Sequence, residues 1–162
     1  MPYLRGETRK PDHCIFCHKI TADDDQELVV HRSQYVYVTL NLYPYNNGHL
    51  LIVPYRHIAD LTELTSDELT DLMRTTQAAL MALRAVYNPT AFNIGMNLGE
   101  AAGAGVAEHL HQHVVPRWPA DNNYMSVIAG TRVVPDMLED TYRQLKEVWP
   151  ASDPEHQEEE NS

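Results

Sequence analysis

The sequence predicts a single α+β domain: an antiparallel sheet of about five strands with one long helix and a C-terminal helix. Three observations carry that expectation. Short runs rich in Val, Tyr, Thr and Leu recur between turn signals in the first third of the chain. A stretch between Thr65 and Asn88 carries apolar residues at helical spacing. Two further strand-like runs follow it, and then an amphipathic segment. With 162 residues, 43% of them apolar, the chain can bury a core of its own.

Taken in order, Cys14–Cys17 forms a knuckle and Asp23-Asp24-Asp25 an acidic turn. Leu28–Val30 and Tyr35–Leu40 read as strands. Asn46-Asn47-Gly48 is a turn signal, and Leu50–Val53 is a short apolar strand ending at Pro54. Thr65-Ser66-Asp67-Glu68 has the form of a capping box, in which Thr accepts from the amide three residues on and Glu reaches back. Leu69, Leu72, Met73, Thr76, Leu80 and Leu83 then form a core-facing stripe, which Asn88-Pro89 stops. Ala91–Asn97 and Leu110–Pro116 read as the last two strands, and Met137–Val148 as the C-terminal helix. The domain is expected to span residues 1–150, with 151–162 a solvated acidic tail.

Composition excludes several classes of function. The formal charge is −11, of which the tail supplies five acids and no Lys or Arg, leaving −6 for the rest. Such a chain lacks the basic stripe that nucleic-acid backbones require. A small anionic substrate is compatible where backbone amides and a few local cations hold it. No run of eighteen apolar residues exists, so no membrane-spanning helix is expected. The segment Met1–Asp12 lacks the apolar stretch of an export signal, and the expected location is the cytoplasm. Two cysteines do not make a disulfide framework.

The chemistry is concentrated in His109-Leu110-His111-Gln112-His113. In a strand, alternate side chains share a face, so three imidazoles are expected to project together. Imidazole attacks, exchanges protons and binds metals at neutral pH. His111, flanked on both sides, is the expected nucleophile if a backbone carbonyl holds one ring N–H and leaves the other nitrogen bare. His113 is placed to donate a proton or hydrogen bond. The loop Gly99–Gly105, including Gly103 and Gly105, has small residues that let backbone amides approach phosphate oxygens. Gln112 is expected to point away from these histidines.

Cys14-Ile15-Phe16-Cys17 has the spacing with which two thiolates grip one tetrahedral zinc. His57 and His109 are the candidates to complete a closed, structural Cys2His2 set. The same residues, with His18, also match a haem-attachment pattern, and the cysteine pair alone matches a redox dithiol. Zinc is favoured over both, because no export signal is seen and the pair does not sit between a strand and helix of a βαβ unit.

His109-Leu-His-Gln-His-Val-Val115 and Gly48-His-Leu-Leu-Ile-Val-Pro54 together resemble the two signature segments of the histidine-triad family. With Cys14, Cys17 and His57 included, the resemblance covers roughly residues 12–120. Within the family, the chain looks like the bacterial fragile-histidine-triad branch, whose phosphorylases and hydrolases cleave diadenosine polyphosphates. Val114-Val115-Pro116-Arg117-Trp118 supports that branch, and Pro116-Arg117-Trp118 speaks against the nucleoside phosphoramidase branch.

The resemblance implies a half-barrel fold, dimerised across a strand and the long helix. It implies that His111 forms a covalent nucleotidyl-histidine, that His113 assists at the α-phosphate, and that His49 supports the triad. Asn41 would hold the ribose hydroxyls and Asn97 would contact phosphate. Cys14, Cys17, His57 and His109 would be the zinc ligands, and Mg2+ could accompany the substrate. Trp118 is a candidate to reach a nucleobase across the dimer, with simple packing the alternative. Hydrolases of the family carry Gln, and phosphorylases Ser, at the position of Gly105. The acceptor, water or phosphate, is therefore left open. Phosphoramidase activity and non-catalytic nucleotide sensing stand as alternatives.

Overall fold

The computed structural model describes residues 14–121 and 137–151. The expected polar N-terminal segment and all but the first residue of the acidic tail lie outside the described residues. The sheet has five strands: β1 (Val29–Arg32), β2 (Val36–Leu40), β3 (Leu50–Pro54), β4 (Ala91–Met96) and β5 (Gln112–Arg117). Its order is β1-β2-β3-β5-β4 with every pairing antiparallel, so the last strand in sequence inserts beside β3 and leaves β4 at an edge. The helices are α1 (Ile15–Thr21), the short α2 (Asp24–Glu27), α3 (Ser66–Tyr87) and α4 (Leu138–Val148).

Alternation along the strands divides the two faces. Val36, Val38, Leu40, Leu50, Ile52 and Val114 meet Leu72, Ala79, Ala82 and Leu83 of α3, with Tyr142 and Leu145 of α4. On the opposite face Val29, Tyr37, Leu51 and Val53 meet Phe16 of α1. The Tyr37 hydroxyl donates to Phe16 O, and Arg32 donates to the Lys19 and Ile20 carbonyls, which pins α1 to the first two strands. This second face carries the chemistry described below.

α3 starts where the sequence places it. The Thr65 hydroxyl accepts from the Glu68 amide, the Glu68 carboxylate accepts from the Thr65 amide, and Asn88 ends the helix in the left-handed region. Glu68 also takes a two-pronged contact from Arg56, whose pairing holds its carboxyl down to about 2. Of the expected stripe, Leu72, Thr76 and Leu83 are buried and Leu80 packs against the core, but its edge is shifted. Leu69 and Met73 are 39% and 55% exposed, while Thr75, Ala79 and Ala82 are buried beside Leu72, Thr76 and Leu83, as is Glu68 in its pairing with Arg56. Two alanines let the helix lie close on the sheet, so the smaller residues face inward. At Gly48, with φ +74°, a β-carbon would come within 2.7 Å of Leu83 Cδ2, so only glycine lets this turn sit on α3.

Gln112 does turn to the α3 face, where it is buried and donates to Thr76 Oγ1 at 2.7 Å. Thr76 passes its own hydrogen to Leu72 O. Thr76→Val should cost about 1–3 kcal/mol in a denaturant melt by leaving the Gln112 amide buried without that acceptor. Adding Gln112→Leu to the same chain should recover much of the loss.

Candidate active site and metal centre

The last strand begins later than the sequence suggests. Its ladder with β3 ends at the Ile52–Gln112 pair, so His109, Leu110 and His111 precede the strand. Pro54, opposite this segment, has no N–H to continue the ladder. The segment is held instead by the Leu110 amide on Ile58 O and by His109 Nε2 on Pro54 O at 2.9 Å. The three imidazoles still lie on one side of the sheet, but they divide between two sites. His109 joins the cysteines, while His111 and His113 stay together, their ring centroids 5.1 Å apart.

Cys14 caps the N-terminus of α1, and Cys17 lies within its first turn. Their sulfurs meet His57 from the loop after β3 and His109, and the four ligand atoms lie within 4.8 Å of one another. Cys14 Sγ is 3.3 Å and Cys17 Sγ 3.6 Å from His109 Nδ1, and Cys17 Sγ is 3.2 Å from His57 Nδ1. Sulfur and nitrogen donors on one tetrahedral zinc stand about 3.5 Å apart, given the bond lengths typical of such sites. The donor set fits. His109 Nε2–H donates to Pro54 O, which leaves Nδ1 bare toward the sulfurs. Burial, and next the neighbouring Cys14, push the Cys17 thiol up, so a cation is what would make two thiolates tolerable here. His18, the residue that a haem motif would need, is largely exposed, paired with Glu27, and outside the cluster.

The second group is a chain of fixed tautomers. The Tyr45 amide donates to His49 Nδ1 at 3.0 Å, which makes Nε2 of that ring the protonated nitrogen. His49 Nε2 then donates to His113 Nδ1 at 2.9 Å. The remaining His113 nitrogen, Nε2, carries the hydrogen, and it is buried without a partner among the described residues. Beside it, His111 Nδ1–H donates to His109 O at 2.8 Å, leaving His111 Nε2 with a bare lone pair. The pair is thus one bare nitrogen next to one unsatisfied N–H. Phe16 packs on both His109 and His111, coupling the two sites through one ring.

Burial holds His113 down to about 4, with the charge His111 would carry adding to it, and burial likewise lowers His111. His113 is therefore neutral at neutral pH and serves as a hydrogen-bond donor. The folded value lies below the unfolded one, near 6.5, so the unfolded chain binds the extra proton between them. His113 leaves stability intact above pH 6.5 and erodes it as pH falls toward 4. Denaturation midpoints should drop over that window, and His113→Phe should drop less than the wild type.

An open cleft of about 330 Å3 adjoins His113, lined also by Tyr45, Asn93, Asn97, Val115 and Arg117. Of the residues expected at a substrate site, Asn97 lies on this cleft. Asn41 sits against the His49 ring, 3.4 Å away, and its side-chain oxygen accepts from the Tyr43 amide. Gly103 caps a short 3-10 turn and gives its amide to Glu100 O, while Gly105 is exposed with open space around its α-carbon. Trp118 packs edge-on against Tyr87 and is not among the cleft-lining residues. Sequence reasoning missed Tyr45, whose ring stacks near His113 at 6.0 Å, and Asn93. Nothing in spacing marks a loop residue whose part comes from its backbone amide.

Fold and site together define a histidine-triad architecture. Residues 23–120 match the HIT domain family model, and the chain belongs to that family. The matched segment holds all five histidines of the two sites but begins after Cys14 and Cys17. The chain is 50% identical over 126 residues to an AP-4-A phosphorylase of Mycobacterium tuberculosis, covering 78% of this chain and 65% of that protein. It therefore spans just under two thirds of that relative's length. It is 36% identical over 97 residues to a bis(5'-adenosyl)-triphosphatase of Saccharomyces cerevisiae, covering 59% of this chain and 47% of that one. Among solved structures, a Zn-bound histidine triad family protein from Mycobacterium smegmatis superposes with a TM-score of 0.67 at 27% identity, over 83% of this chain and 91% of its own.

Proposed function

We propose that the protein cleaves dinucleoside polyphosphates, of which diadenosine tetraphosphate is the leading candidate, through a nucleotidyl-His111 intermediate. The carrying observation is the His111–His113 pair: a bare Nε2 beside a buried N–H with no partner among the described residues. His111 Nε2 attacks the α-phosphorus, forming a P–N bond as the P–O bond to the departing polyphosphate breaks. His113 Nε2–H hydrogen-bonds that oxygen. The departing polyphosphate is a stable anion and takes no full proton, which suits a histidine neutral at pH 7. Water or phosphate then attacks the same phosphorus, breaking the P–N bond and returning His111. Asn97 lines the cleft and would contact the phosphates, the family resemblance gives Asn41 to the ribose and Gly103 and Gly105 to the phosphate loop, and the Tyr87 contact favours packing for Trp118. The names of the two relatives support this substrate class.

Zinc would be held by Cys14, Cys17, His57 and His109. When bound it supplies a cross-link between α1 and the triad segment, without an open position for substrate. Among the described residues no second group of convergent ligands is found, so Mg2+ would travel on the substrate's phosphates. A homodimer across β4 and α3 is supported by the unpaired edge of β4 and by exposed Leu69, Met73, Met81 and Ile94. Among the described residues no helix is long and apolar enough to cross a membrane.

The test is product analysis with diadenosine tetraphosphate, with and without inorganic phosphate. ADP plus ATP formed only with phosphate identifies a phosphorylase. AMP plus ATP in both conditions identifies a hydrolase, in line with Gly105 supplying no side chain to a phosphate pocket. Nucleotide binding without products would overturn the catalytic reading and leave a sensor.

A further inference from the structure

We propose that Arg117 determines specificity by holding the phosphate chain of the departing half of the substrate, favouring polyphosphate over small leaving groups. This rests on the dinucleoside polyphosphate reading above. Alternation along β5 puts His113, Val115 and Arg117 on one face, and all three line the same cleft. From His113 to Arg117 is four residues, about 13 Å of strand. The long Arg side chain covers part of that distance, along the path an extended chain would take from the α-phosphorus. Among the described residues that line the cleft, Arg117 is the one Lys or Arg, in a chain whose formal charge is −11. A polyanion entering this cleft against the overall field meets there a guanidinium paired with Asp121, which offers directed N–H donors rather than an uncompensated charge.

The guanidinium is held rather than mobile. Its Nε and one terminal nitrogen donate to the two oxygens of Asp121 at 2.6 and 2.7 Å, and the other terminal nitrogen donates to Asn93 Oδ1 at 3.0 Å. Asp121 also accepts from Asn46 Nδ2 at 2.8 Å and from the Trp118 amide at 3.2 Å, so its charge is met by several donors. Asn46 further donates to Pro116 O. The turn before β3, the edge strand β4 and the end of β5 thus converge on the Arg117–Asp121 pair. A guanidinium has five N–H groups, and these bonds use three. The two others belong to the terminal nitrogens, in a fork suited to phosphate oxygens.

Three chains, wild type, Arg117→Met and Arg117→Lys, are compared on diadenosine tetraphosphate and on adenosine 5'-phosphoramidate, whose leaving group carries no phosphate. Binding of inorganic tripolyphosphate is measured by calorimetry on each. Arg117→Met should raise KM for the tetraphosphate at least tenfold more than for the phosphoramidate, with kcat changed much less. Tripolyphosphate affinity should fall at least tenfold, and Arg117→Lys should recover part of both effects. Equal losses on the two substrates, or unchanged tripolyphosphate affinity, would overturn the proposal and leave Arg117 as a loop tie. If the wild type turns over neither substrate, the functional reading fails, while the tripolyphosphate measurement still decides the role of Arg117.

Discussion

His111→Ala is expected to lower turnover of diadenosine tetraphosphate on the order of 10⁴-fold or more, with the fold retained. The ring is buried, and its Nδ1 is committed to His109 O, so no neighbouring group can take over the bare Nε2. His113 cannot substitute, because its own Nδ1 is occupied by His49 and its other nitrogen carries the hydrogen. His111→Asn sharpens the test. Its amide can still donate to His109 O but offers no nucleophile, so the activity should be lost with less disturbance of packing than in the alanine variant. Loss of His113 removes a transition-state hydrogen bond and not the attacking atom, and should cost about 10²–10³-fold. Steady-state rates alongside thermal melts distinguish these outcomes. Near-normal turnover by either His111 variant would be incompatible with the mechanism.

On the proposal that zinc fills the Cys2His2 cluster, chelation, or replacing Cys17 by Ala, is expected to lower stability by about 3 kcal/mol, or about 10 °C in melting temperature. The cluster joins α1 to the loop after β3 and to the triad segment, adding to the Leu110–Ile58 backbone bond and the Phe16 packing that already link them. The loss should fall short of complete unfolding, because Phe16, the Tyr37 hydroxyl and Arg32 also hold α1 to the sheet. Activity should fall as well, since Phe16 packs on both His109 and His111. Calorimetry of the protein as purified, after chelation and after adding back zinc reads this directly. Identical melts in all three would remove the structural role of the metal.

The local signals in the sequence were dependable where a short stretch decides its own structure. The capping box at Thr65 and Glu68, the stop at Asn88 and the turn before Gly48 all form as their side-chain chemistry dictates. The cysteines and two distant histidines were also legible as one ligand set, because few chemistries use those residue types together. What required the fold was relational. The inward face of α3 depends on how close Ala79 and Ala82 let it approach the sheet, which helical spacing alone does not reveal. The division of the triad between two sites follows from Pro54 ending the ladder opposite it. The tautomers of His49 and His113 follow from the Tyr45 amide, a backbone group that every residue but proline possesses. Arg117 and Asp121 stand four apart in sequence, yet the position of Arg117 on the cleft comes from β5 lying between β3 and β4.

The most direct test of the mechanism is to trap the covalent species. The protein is mixed with diadenosine tetraphosphate without phosphate, quenched in alkali within the first turnover, and digested for peptide mass analysis. An adenylyl group on the peptide carrying His111, absent from the His111→Asn variant, is the result the mechanism predicts. Turnover with no adduct, or with the label on another residue, would contradict it.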